Sequence, residues 1–271
     1  MTTWICRTCA VEHAEPIDVC AICADERQYL PVDGQQWTSL EQMAAEGYRA
    51  ELREFEPSLH AITTSPQVGI GQQSKLVSTD DGNLLWDPTG FVDDAIVEQV
   101  LALGPVRAVV ASHPHMFGAQ VEWSRRLGGV PVLVAEADLE WVARPDPVIE
   151  TWTDDVEILP GVTLTQPGGH FPGSAVVHWS AGAEGRGVLL TGDTVFPNPD
   201  RRSFSFMRSY PNRIPLSGAV VRRIAAHLDR FAYDSVYGNF DNAILGDARA
   251  ILTWSAERHA GWADGAFDHL T

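Results

Sequence analysis

The stretch that most constrains the fold of this chain is Val106–Gly118, which carries two histidines one residue apart. Its run Val-Arg-Ala-Val-Val-Ala predicts a buried strand that ends at the histidines. Because side chains alternate between faces along an extended segment, we expect His113 and His115 to point the same way. The proline between them favours an extended backbone at His113. Two imidazoles held side by side make half of a metal site, although an isolated pair of this kind more often consists of two ordinary loop histidines.

Length and charge limit the classes of function that this chain can have. Its 271 residues predict one large domain, or one with a small appendage. The net charge of −17, with Lys75 as the only lysine, argues against a nucleic-acid partner, because phosphate binding relies on clustered basic residues. The chain lacks both the roughly 20-residue apolar run of a membrane span and the features of a signal peptide. We therefore expect a cytoplasmic protein with a small-molecule substrate and no membrane partner, whereas its oligomeric state stays open.

All four cysteines lie within the first 23 residues, in two Cys-x2-Cys pairs separated by ten residues: Cys6 and Cys9, then Cys20 and Cys23. Each pair predicts a tight turn whose backbone amides point at the thiolates, and two such turns complete a tetrahedral four-sulfur site. Disulfides are the competing interpretation, but the expected cytoplasmic location disfavours them. The spacing therefore predicts a four-cysteine metal site.

The N-terminal segment resembles a zinc ribbon, and also the rubredoxin-like module of rubrerythrins, in which the metal is iron and the task is electron transfer. Four thiolates suit either metal. The rubredoxin pattern normally has glycine just after each cysteine pair, where this chain has Ala10 and Ala24, so structural Zn²⁺ is favoured. We predict a four-cysteine module over residues 1–32, folded largely by its metal, and a second domain over residues 33–271 that includes a short connecting helix.

The rest of the chain predicts a mixture of strands and helices without a long flexible linker. A capping-box pattern at Thr38–Glu41 starts the short connecting helix, which Gly47 stops. Strands are predicted at 60–64, 67–70, 74–78, 83–87, 130–134, 162–165, 175–179, 187–193 and 235–241. Helices are predicted at 93–103, 119–127, 136–142, 216–228 and 248–259. Strands that alternate with helices indicate an α/β architecture.

Two more ligand-type residues follow strand-like segments. His170 lies in the glycine-rich loop Gly168–Ser174, between two predicted strands. Asp193 lies at the end of an apolar strand, where a carboxylate is costly unless it is paired or bound to a metal. Each signal is weak alone. Together with the histidine pair, they form an ordered series of strand-end ligands that is far less probable by chance.

Four segments of the chain resemble the metallo-β-lactamase fold superfamily, over roughly residues 65–245. The segments are Leu84–Gly90, Ser112–His115, Gly169–Ser174 and Leu190–Phe196. The resemblance implies an αββα sandwich with a metal site at one edge of the two sheets. It also implies metal roles for His113, His115, His170 and Asp193.

The chain departs from the pattern of this superfamily at three positions. The His-x-His motif normally continues into x-Asp-His, where this chain has Phe117 and Gly118. The histidine expected after the last core strand is replaced by Asn239. The resemblance therefore implies that a second metal has lost three of its usual ligands. A mononuclear site of three histidines and one aspartate remains.

A mononuclear site of this composition allows three functions. A single Zn²⁺, with Asp193 as a possible general base, suits hydrolysis of a small-molecule ester, thioester, lactone or amide, which is our first prediction. Two of the histidines and Asp193 could instead hold Fe²⁺ for an oxygenase of the persulfide dioxygenase kind, although those enzymes keep the aspartate that Phe117 replaces here. A degenerate site would leave a non-catalytic binding module.

The loop Pro197–Arg213 follows Asp193 and contains the candidate substrate-binding residues. It is rich in arginine and aromatic residues, and Arg208 and Tyr210 could clamp a carboxylate or a phosphate. The competing interpretation is a surface loop with solvated arginines. We add Asn239 to the candidates for substrate binding, because it stands where a metal-site residue is expected.

Overall fold

The computed structural model describes residues 2–271, so Met1 of the predicted four-cysteine module lies outside the described part of the chain. The chain begins with a small antiparallel sheet and two short helices. These elements are β1 (Trp4–Cys6), β2 (Glu12–His13), α1 (Ala21–Ala24), β3 (Trp37–Ser39) and α2 (Leu40–Ala45). The sheet has the order β2-β1-β3, so its third strand comes from beyond the predicted domain boundary at residue 32. The boundary itself stays a prediction.

The predicted connecting helix is present as α2, but it begins one residue later than the capping pattern indicates. Thr38 belongs to β3, and Ser39 caps the helix by accepting a hydrogen bond from the Gln42 amide at 3.2 Å. Pairing of β3 with β1 keeps Thr38 in the sheet, so the next hydroxyl residue takes the cap position. Gly47, with a φ of +86°, lies just after the helix, as predicted.

A seven-stranded sheet forms the first half of the main domain. Its strands are β4 (Arg49–Glu56), β5 (Leu59–Ser65), β6 (Ser74–Thr79), β7 (Gly82–Trp86), β8 (Val106–Val110), β9 (Val132–Ala135) and β10 (Ile149–Trp152). They lie in sequence order, antiparallel from β4 to β7 and parallel from β7 to β10. The connections include α3 (Asp94–Ala102), α4 (Gln120–Arg126) and two 3-10 helices, Pro114–Met116 and Glu136–Trp141.

Three details of this sheet differ from the sequence predictions, the first being that β10 is not predicted. The sequence does not predict β4, because its segment is rich in charged residues and only Ala50 is fully buried within it. The strand predicted at 67–70 is absent, and the segment is irregular. Gly69 and Gly71 adopt positive φ values of +53° and +80°, which turn the backbone away from an extended path.

A six-stranded sheet forms the second half. The first four strands are β11 (Val156–Leu159), β12 (Val162–Thr165), β13 (Val176–Trp179) and β14 (Val188–Leu190), with a one-turn helix α5 (Gly182–Gly185) before β14. Two small hairpins follow, made by β15 (Phe196–Pro197), β16 (Phe204–Ser205), β17 (Met207–Ser209) and β18 (Ile214–Pro215). The sheet is completed by β19 (Ser235–Tyr237) and β20 (Ala243–Leu245), and has the order β11-β12-β13-β14-β19-β20. Helices α6 (Gly218–Leu228) and α7 (Ala248–Ala263) and the 3-10 helix Asp268–Leu270 account for the remaining regular elements.

The two sheets stack face to face, and helices cover the outer face of each. The core between the sheets includes Leu84 and Val110 from the first sheet and Leu164 and Leu190 from the second. A separate cluster joins α6 and α7 to the second sheet, and another covers the first sheet together with α3 and α4. The αββα sandwich implied by the resemblance is therefore confirmed.

The four-cysteine module packs on the outer face of the first sheet and shares its core. Ile5 and Ile22 belong to the same buried cluster as Phe117 and Trp123. The backbone amide of Glu12 donates to the carbonyl of Gly118 at 2.9 Å. The module is therefore joined to the main domain by apolar packing and by a backbone hydrogen bond.

Candidate metal centre

Four ligand-type side chains meet beyond the ends of β8, β12 and β14. His113, His115, His170 and Asp193 each place one ligand atom within 4.8 Å of the others, and all four residues are buried. Asp193 Oδ2 lies 3.6 Å from His113 Nε2 and 3.7 Å from His170 Nε2. His170 Nε2 lies 3.3 Å from His115 Nδ1. The structure thus brings together the four residues that the sequence predicts as one cluster.

The histidine pair converges by a different backbone path from the predicted one. The strand β8 ends at Val110, and only His113 is extended, with φ and ψ of −171° and 172°. His115 lies in a 3-10 turn, and Pro114 is its first residue, where a missing amide proton costs nothing. The two rings lie 5.1 Å apart at 72°. A tight turn, rather than strand alternation, therefore aims both imidazoles at one point.

Hydrogen bonds to neighbouring groups fix the orientation of two of the imidazoles. His170 Nδ1 lies 2.9 Å from the carbonyl oxygen of Met207, so Nδ1 carries the proton and Nε2 has a free lone pair. His113 Nδ1 lies 2.8 Å from Ser112 Oγ. A histidine that binds a metal typically makes such a second bond through its other nitrogen.

The environment favours the protonation states that a metal site needs. Burial, together with the neighbouring imidazoles, holds the pKa of His115 well below its ordinary value, and burial lowers the pKa of His170 to about 4. Burial alone would raise the pKa of Asp193, but the nearby His113 and His170 imidazoles lower it overall. Neutral imidazoles beside an ionised carboxylate are the forms that coordinate divalent metals.

Unpaired polar atoms within the cluster test whether a metal fits. His113 Nε2, His115 Nε2 and Asp193 Oδ1 are buried without a hydrogen-bond partner among the described residues. Leaving such atoms unpaired costs free energy, and a bound metal ion would satisfy all three. Three nitrogen donors and one carboxylate match the donor set of a mononuclear zinc site. The residues present therefore fit a bound metal ion.

A buried carboxylate behind the cluster connects it to the last predicted candidate. Asp87 Oδ1 accepts the amide proton of Ser112 at 2.6 Å, and Asp87 Oδ2 accepts from Asn239 Nδ2 at 3.1 Å. Burial raises the pKa of Asp87 to about 7. Asn239 is itself buried, and it is bonded to the same carboxylate that fixes the backbone just before His113. Its predicted role in substrate binding stays a prediction.

The four cysteines form a second, separate cluster. Their sulfurs lie within 4.8 Å of one another, and all four side chains are buried. The Sγ–Sγ distances are 3.6 Å for Cys6 and Cys23 and 3.8 Å for Cys9 and Cys20, well beyond the roughly 2.05 Å of a disulfide. Hydrogen bonds from Cys23, Cys6 and Cys9 hold the pKa of the Cys20 thiol far below its ordinary value. Four converging sulfurs fit a tetrahedral metal ion.

A pocket of about 240 Å³ opens onto the histidine cluster. His115 and Asp193 lie in its wall, and the apolar part of the lining comes from Ile70, Phe196, Pro211 and Phe240. The chain segment that follows the last cysteine supplies three further lining residues, Arg27, Gln28 and Tyr29. The four-cysteine module therefore contributes directly to the pocket wall, which the sequence does not predict.

Of the two loop residues predicted to bind substrate, only Tyr210 lies in the pocket wall. Its hydroxyl donates to the backbone carbonyl of Asp193 at 3.1 Å. Arg208 instead pairs with Glu26 of the four-cysteine module, through its Nε and the Glu26 carboxylate. Asn212 donates from Nδ2 to the carbonyl of Glu26 at 2.8 Å. The loop thus holds the module segment in place, and a substrate contact for Arg208 stays a prediction.

Two of the three positions that depart from the superfamily pattern, Phe117 and Gly118, lie at the contact with the module. Phe117 is buried in the cluster that contains the cysteines. Gly118 has a φ of +48°, and a Cβ there would lie 1.9 Å from the Pro88 carbonyl oxygen. Its own carbonyl accepts the Glu12 amide. Side chains that could bind a second metal are thus replaced by residues that pack against the module.

Sequence reasoning missed the module residues in the pocket because their placement depends on long-range packing. Arg27 and Tyr29 follow no motif, and the contacts that position their segment come from Asn212, 186 and 184 positions away from its two partners. Phe196 and Phe240 carry no signal beyond that of ordinary apolar residues. The one sequence feature that could have indicated this part of the pocket is Arg27, which is a basic residue four positions after Cys23 in an acidic chain.

Comparisons with known proteins agree with this architecture. A sequence profile of the metallo-β-lactamase superfamily matches residues 70–229. The chain is 40% identical over 264 residues to the uncharacterized protein YmaE of Bacillus subtilis (strain 168), and the match covers 96% of each chain. No helix within residues 2–271 is both long and apolar enough to cross a bilayer.

Solved structures share the fold at low sequence identity. The metallo-β-lactamase FIM-1 from Pseudomonas aeruginosa, in a mono-zinc form, has a TM-score of 0.58 and 16% identity, covering 78% of this chain and 96% of that one. The metallo-β-lactamase from Pontibacter korlensis has a TM-score of 0.57 and 19% identity, covering 78% and 99%. At such identities these likenesses concern the fold alone.

Proposed function

Because this chain belongs to the metallo-β-lactamase superfamily, we propose that it is a zinc-dependent hydrolase of a small-molecule ester, thioester, lactone or amide. The observation that supports this proposal is the cluster of three histidines and one aspartate, with unpaired buried atoms, at the wall of a pocket. We retain the predicted cytoplasmic location, and the absence of nucleic-acid and membrane partners, as parts of the same proposal.

In this proposal the three histidines and Asp193 hold one Zn²⁺, and the four cysteines hold another. The zinc at the histidine cluster would polarise the substrate carbonyl and lower the pKa of a water molecule towards neutrality. The mono-zinc form reported for FIM-1 shows that one zinc can be bound in this fold.

The side chains around the cluster have distinct proposed roles. Asp193 Oδ1 has no hydrogen-bond partner, so it is free to accept a proton from the attacking water as a general base. The Tyr210 hydroxyl holds the Asp193 backbone and keeps that carboxylate facing the pocket. The apolar lining, which includes Phe196 and Phe240, limits the access of bulk water and would hold the apolar part of a substrate.

Metal analysis of the full-length protein, purified without added metal, tests the proposal. We expect two zinc ions per chain, one of which is lost in His113→Ala and retained in the control His269→Ala, since His269 is exposed and outside the cluster. Activity is then measured on a panel of chromogenic esters, thioesters, lactones and amides.

Three results would contradict the proposal. Iron at the histidine cluster, together with oxygen uptake, would favour the oxygenase. A lack of metal at that cluster would leave a non-catalytic binding module. Hydrolysis that is equal in wild type and His113→Ala would place the activity elsewhere.

A further inference from the structure

Arg27 is a buried cation in the wall of the pocket, in a chain that is otherwise strongly acidic. It follows Cys23 by four positions and is only 8% exposed. Asp25 Oδ1 accepts hydrogen bonds from its Nη1 and from its backbone amide, both at 2.9 Å. The guanidinium carbon lies 4.0 Å from the centre of the Phe171 ring, which is next to His170 in the chain. The four-cysteine module thus places a positive charge beside the metal-ligand cluster.

The hydrogen bonds of this guanidinium are incomplete. Arg27 Nε is buried and has no hydrogen-bond partner among the described residues. Asp25 accepts from one guanidinium nitrogen only, and the neighbouring Arg208 pairs with Glu26 instead. A buried guanidinium with unused donors is costly, and a carboxylate that enters the pocket would offer the planar acceptor that it lacks. The side chain also lines the cavity that contains His115 and Asp193.

The remainder of the lining determines what else such a ligand must carry. Ile70, Phe196, Pro211 and Phe240 are apolar, and the cavity of about 240 Å³ admits only a compact molecule. We propose that Arg27 is a specificity residue that binds a carboxylate of the substrate, so that the preferred substrate is a small acyl compound with an apolar body and one carboxylate away from the bond that is cleaved. This inference rests on the proposed function for its catalytic end, but not for the binding of the anion.

The competing explanation is that Arg27 only fastens the module by stacking on Phe171 and pairing with Asp25. A structural role of this kind would affect all ligands alike. A recognition role would affect anionic ligands selectively. The experiment therefore compares charged and neutral probes of the same shape.

Calorimetry with the metal-loaded full-length protein measures binding without catalysis. Benzoate and its neutral isostere benzamide are titrated into wild type, Arg27→Gln, Arg27→Lys and the control Arg53→Gln, in which an exposed arginine outside the pocket is neutralised. We expect the Kd of benzoate to rise roughly tenfold or more in Arg27→Gln, by a smaller factor in Arg27→Lys, and not at all in Arg53→Gln. The Kd of benzamide stays the same in all four proteins.

A kinetic comparison then tests the substrate class. 4-Nitrophenyl hydrogen succinate and 4-nitrophenyl propanoate differ by a carboxylate, and Arg27→Gln is expected to raise KM roughly tenfold for the succinate only, with kcat nearly unchanged. If wild type hydrolyses neither ester, the proposed hydrolase function is in question, and the calorimetry still decides the role of Arg27.

Two outcomes overturn the inference. Equal benzoate affinity in wild type and Arg27→Gln, with two metals retained per chain, removes the anion-binding role. If Arg27→Gln loses the metal of the module, Arg27→Lys becomes the deciding variant. An unchanged benzoate affinity in Arg27→Lys would then show that the planar guanidinium does not recognise the anion.

Discussion

The two ligand clusters of this protein differ in how completely their donors are used. The cysteine cluster has four identical donors, all buried, whose sulfur atoms lie within 4.8 Å of one another. The histidine cluster has mixed donors from three loops, contains unpaired buried atoms, and borders a pocket. Four closed thiolates are typical of a structural metal, whereas a mixed and open set is typical of a metal that takes part in chemistry.

The two clusters are connected through the pocket wall. The segment after Cys23 carries Arg27, Gln28 and Tyr29 into the wall of the pocket. A module this small has little core of its own, so its metal is expected to supply much of its folding energy. The cysteine cluster would therefore shape the pocket beside the histidine cluster without taking part in the reaction.

Removal of a cysteine ligand should give the largest effect. In Cys9→Ser we expect the loss of one metal per chain, a fall in Tm of roughly 20 °C, and at least a tenfold loss of hydrolysis, because structural zinc contributes on the order of 10 kcal/mol in small modules. Metal analysis and calorimetric melting provide the measurements. His13→Gln is the control. His13 Nε2 lies 3.5 Å from Cys20 Sγ, but the cluster of possible metal ligands consists of the four cysteines and does not include His13. Full activity in Cys9→Ser would show that the pocket does not need the metal of the four-cysteine module.

Neutralising the Asp193 carboxylate of the histidine cluster should affect the rate of hydrolysis more than the metal content. In Asp193→Asn we expect the three histidines to keep the metal while kcat falls roughly 10²- to 10⁴-fold, as for the loss of a general base. The control is Asp80→Asn, at an exposed position. Loss of the metal in Asp193→Asn would mean that the histidine cluster, like the cysteine cluster, needs all four ligands to hold its metal.

The contact between the four-cysteine module and the main domain, where the Glu12 amide donates to the Gly118 carbonyl, can be weakened at a single glycine. We expect Gly118→Ala to lower the free energy of unfolding by about 3 kcal/mol, because its Cβ would meet the Pro88 carbonyl oxygen at 1.9 Å. Gly128→Ala is a matched control: its φ of +97° is also positive, but a Cβ there meets nothing within 4 Å, so about 1 kcal/mol is expected. Chemical denaturation measures both. Equal losses would mean that the close contact between Gly118 and Pro88 contributes nothing.

The last effect, which is a change of stability with pH, is expected from the carboxylate of Glu12 in the four-cysteine module. Burial raises its pKa to about 7 from an ordinary 4.5, although the ion pair with Arg144 opposes the shift. Between these pH values the folded chain keeps a proton that the unfolded chain releases, so Glu12 makes stability fall as pH rises from about 4.5 to 7. The slope is at most about 1.4 kcal/mol per pH unit for one proton.

Glu12→Gln should remove this contribution, which is measured as the difference in unfolding free energy between wild type and variant across that pH range. The control is Glu15→Gln, whose side chain is exposed. A difference that does not change with pH would show that Glu12 stays ionised in the folded protein. The contact around Glu12 would then rely on the ion pair between Glu12 and Arg144 rather than on a protonated Glu12.

Local sequence patterns predicted both ligand clusters, because each ligand lies in a short motif with its own chemical logic. The cysteine spacing and the strand-end positions of His170 and Asp193 needed no knowledge of distant contacts. The αββα sandwich was implied by the resemblance of four such motifs. Element boundaries were less certain, as the cap at Ser39 shows, because pairing between strands decided which hydroxyl residue was available.

The parts that could not be predicted depend on contacts between distant segments. The strand β4 is recognisable only through its pairing with β5, since its outward face is charged. The 3-10 turn at His115 and the place of Arg27 in the pocket both result from packing that no single segment specifies. The replacement of metal ligands at Phe117 and Gly118 was visible in the sequence, but its reason became clear only from the packing of the module.

The hydrogen bonds from Asn212 to the carbonyls of Glu26 and Gln28 span 186 and 184 residues of chain. During synthesis from the N-terminus, the four cysteines emerge first and can be loaded with metal early. The pocket wall that follows them must wait until the loop containing Asn212 has left the ribosome. A nascent chain shorter than that would therefore have all four cysteines but no finished pocket wall.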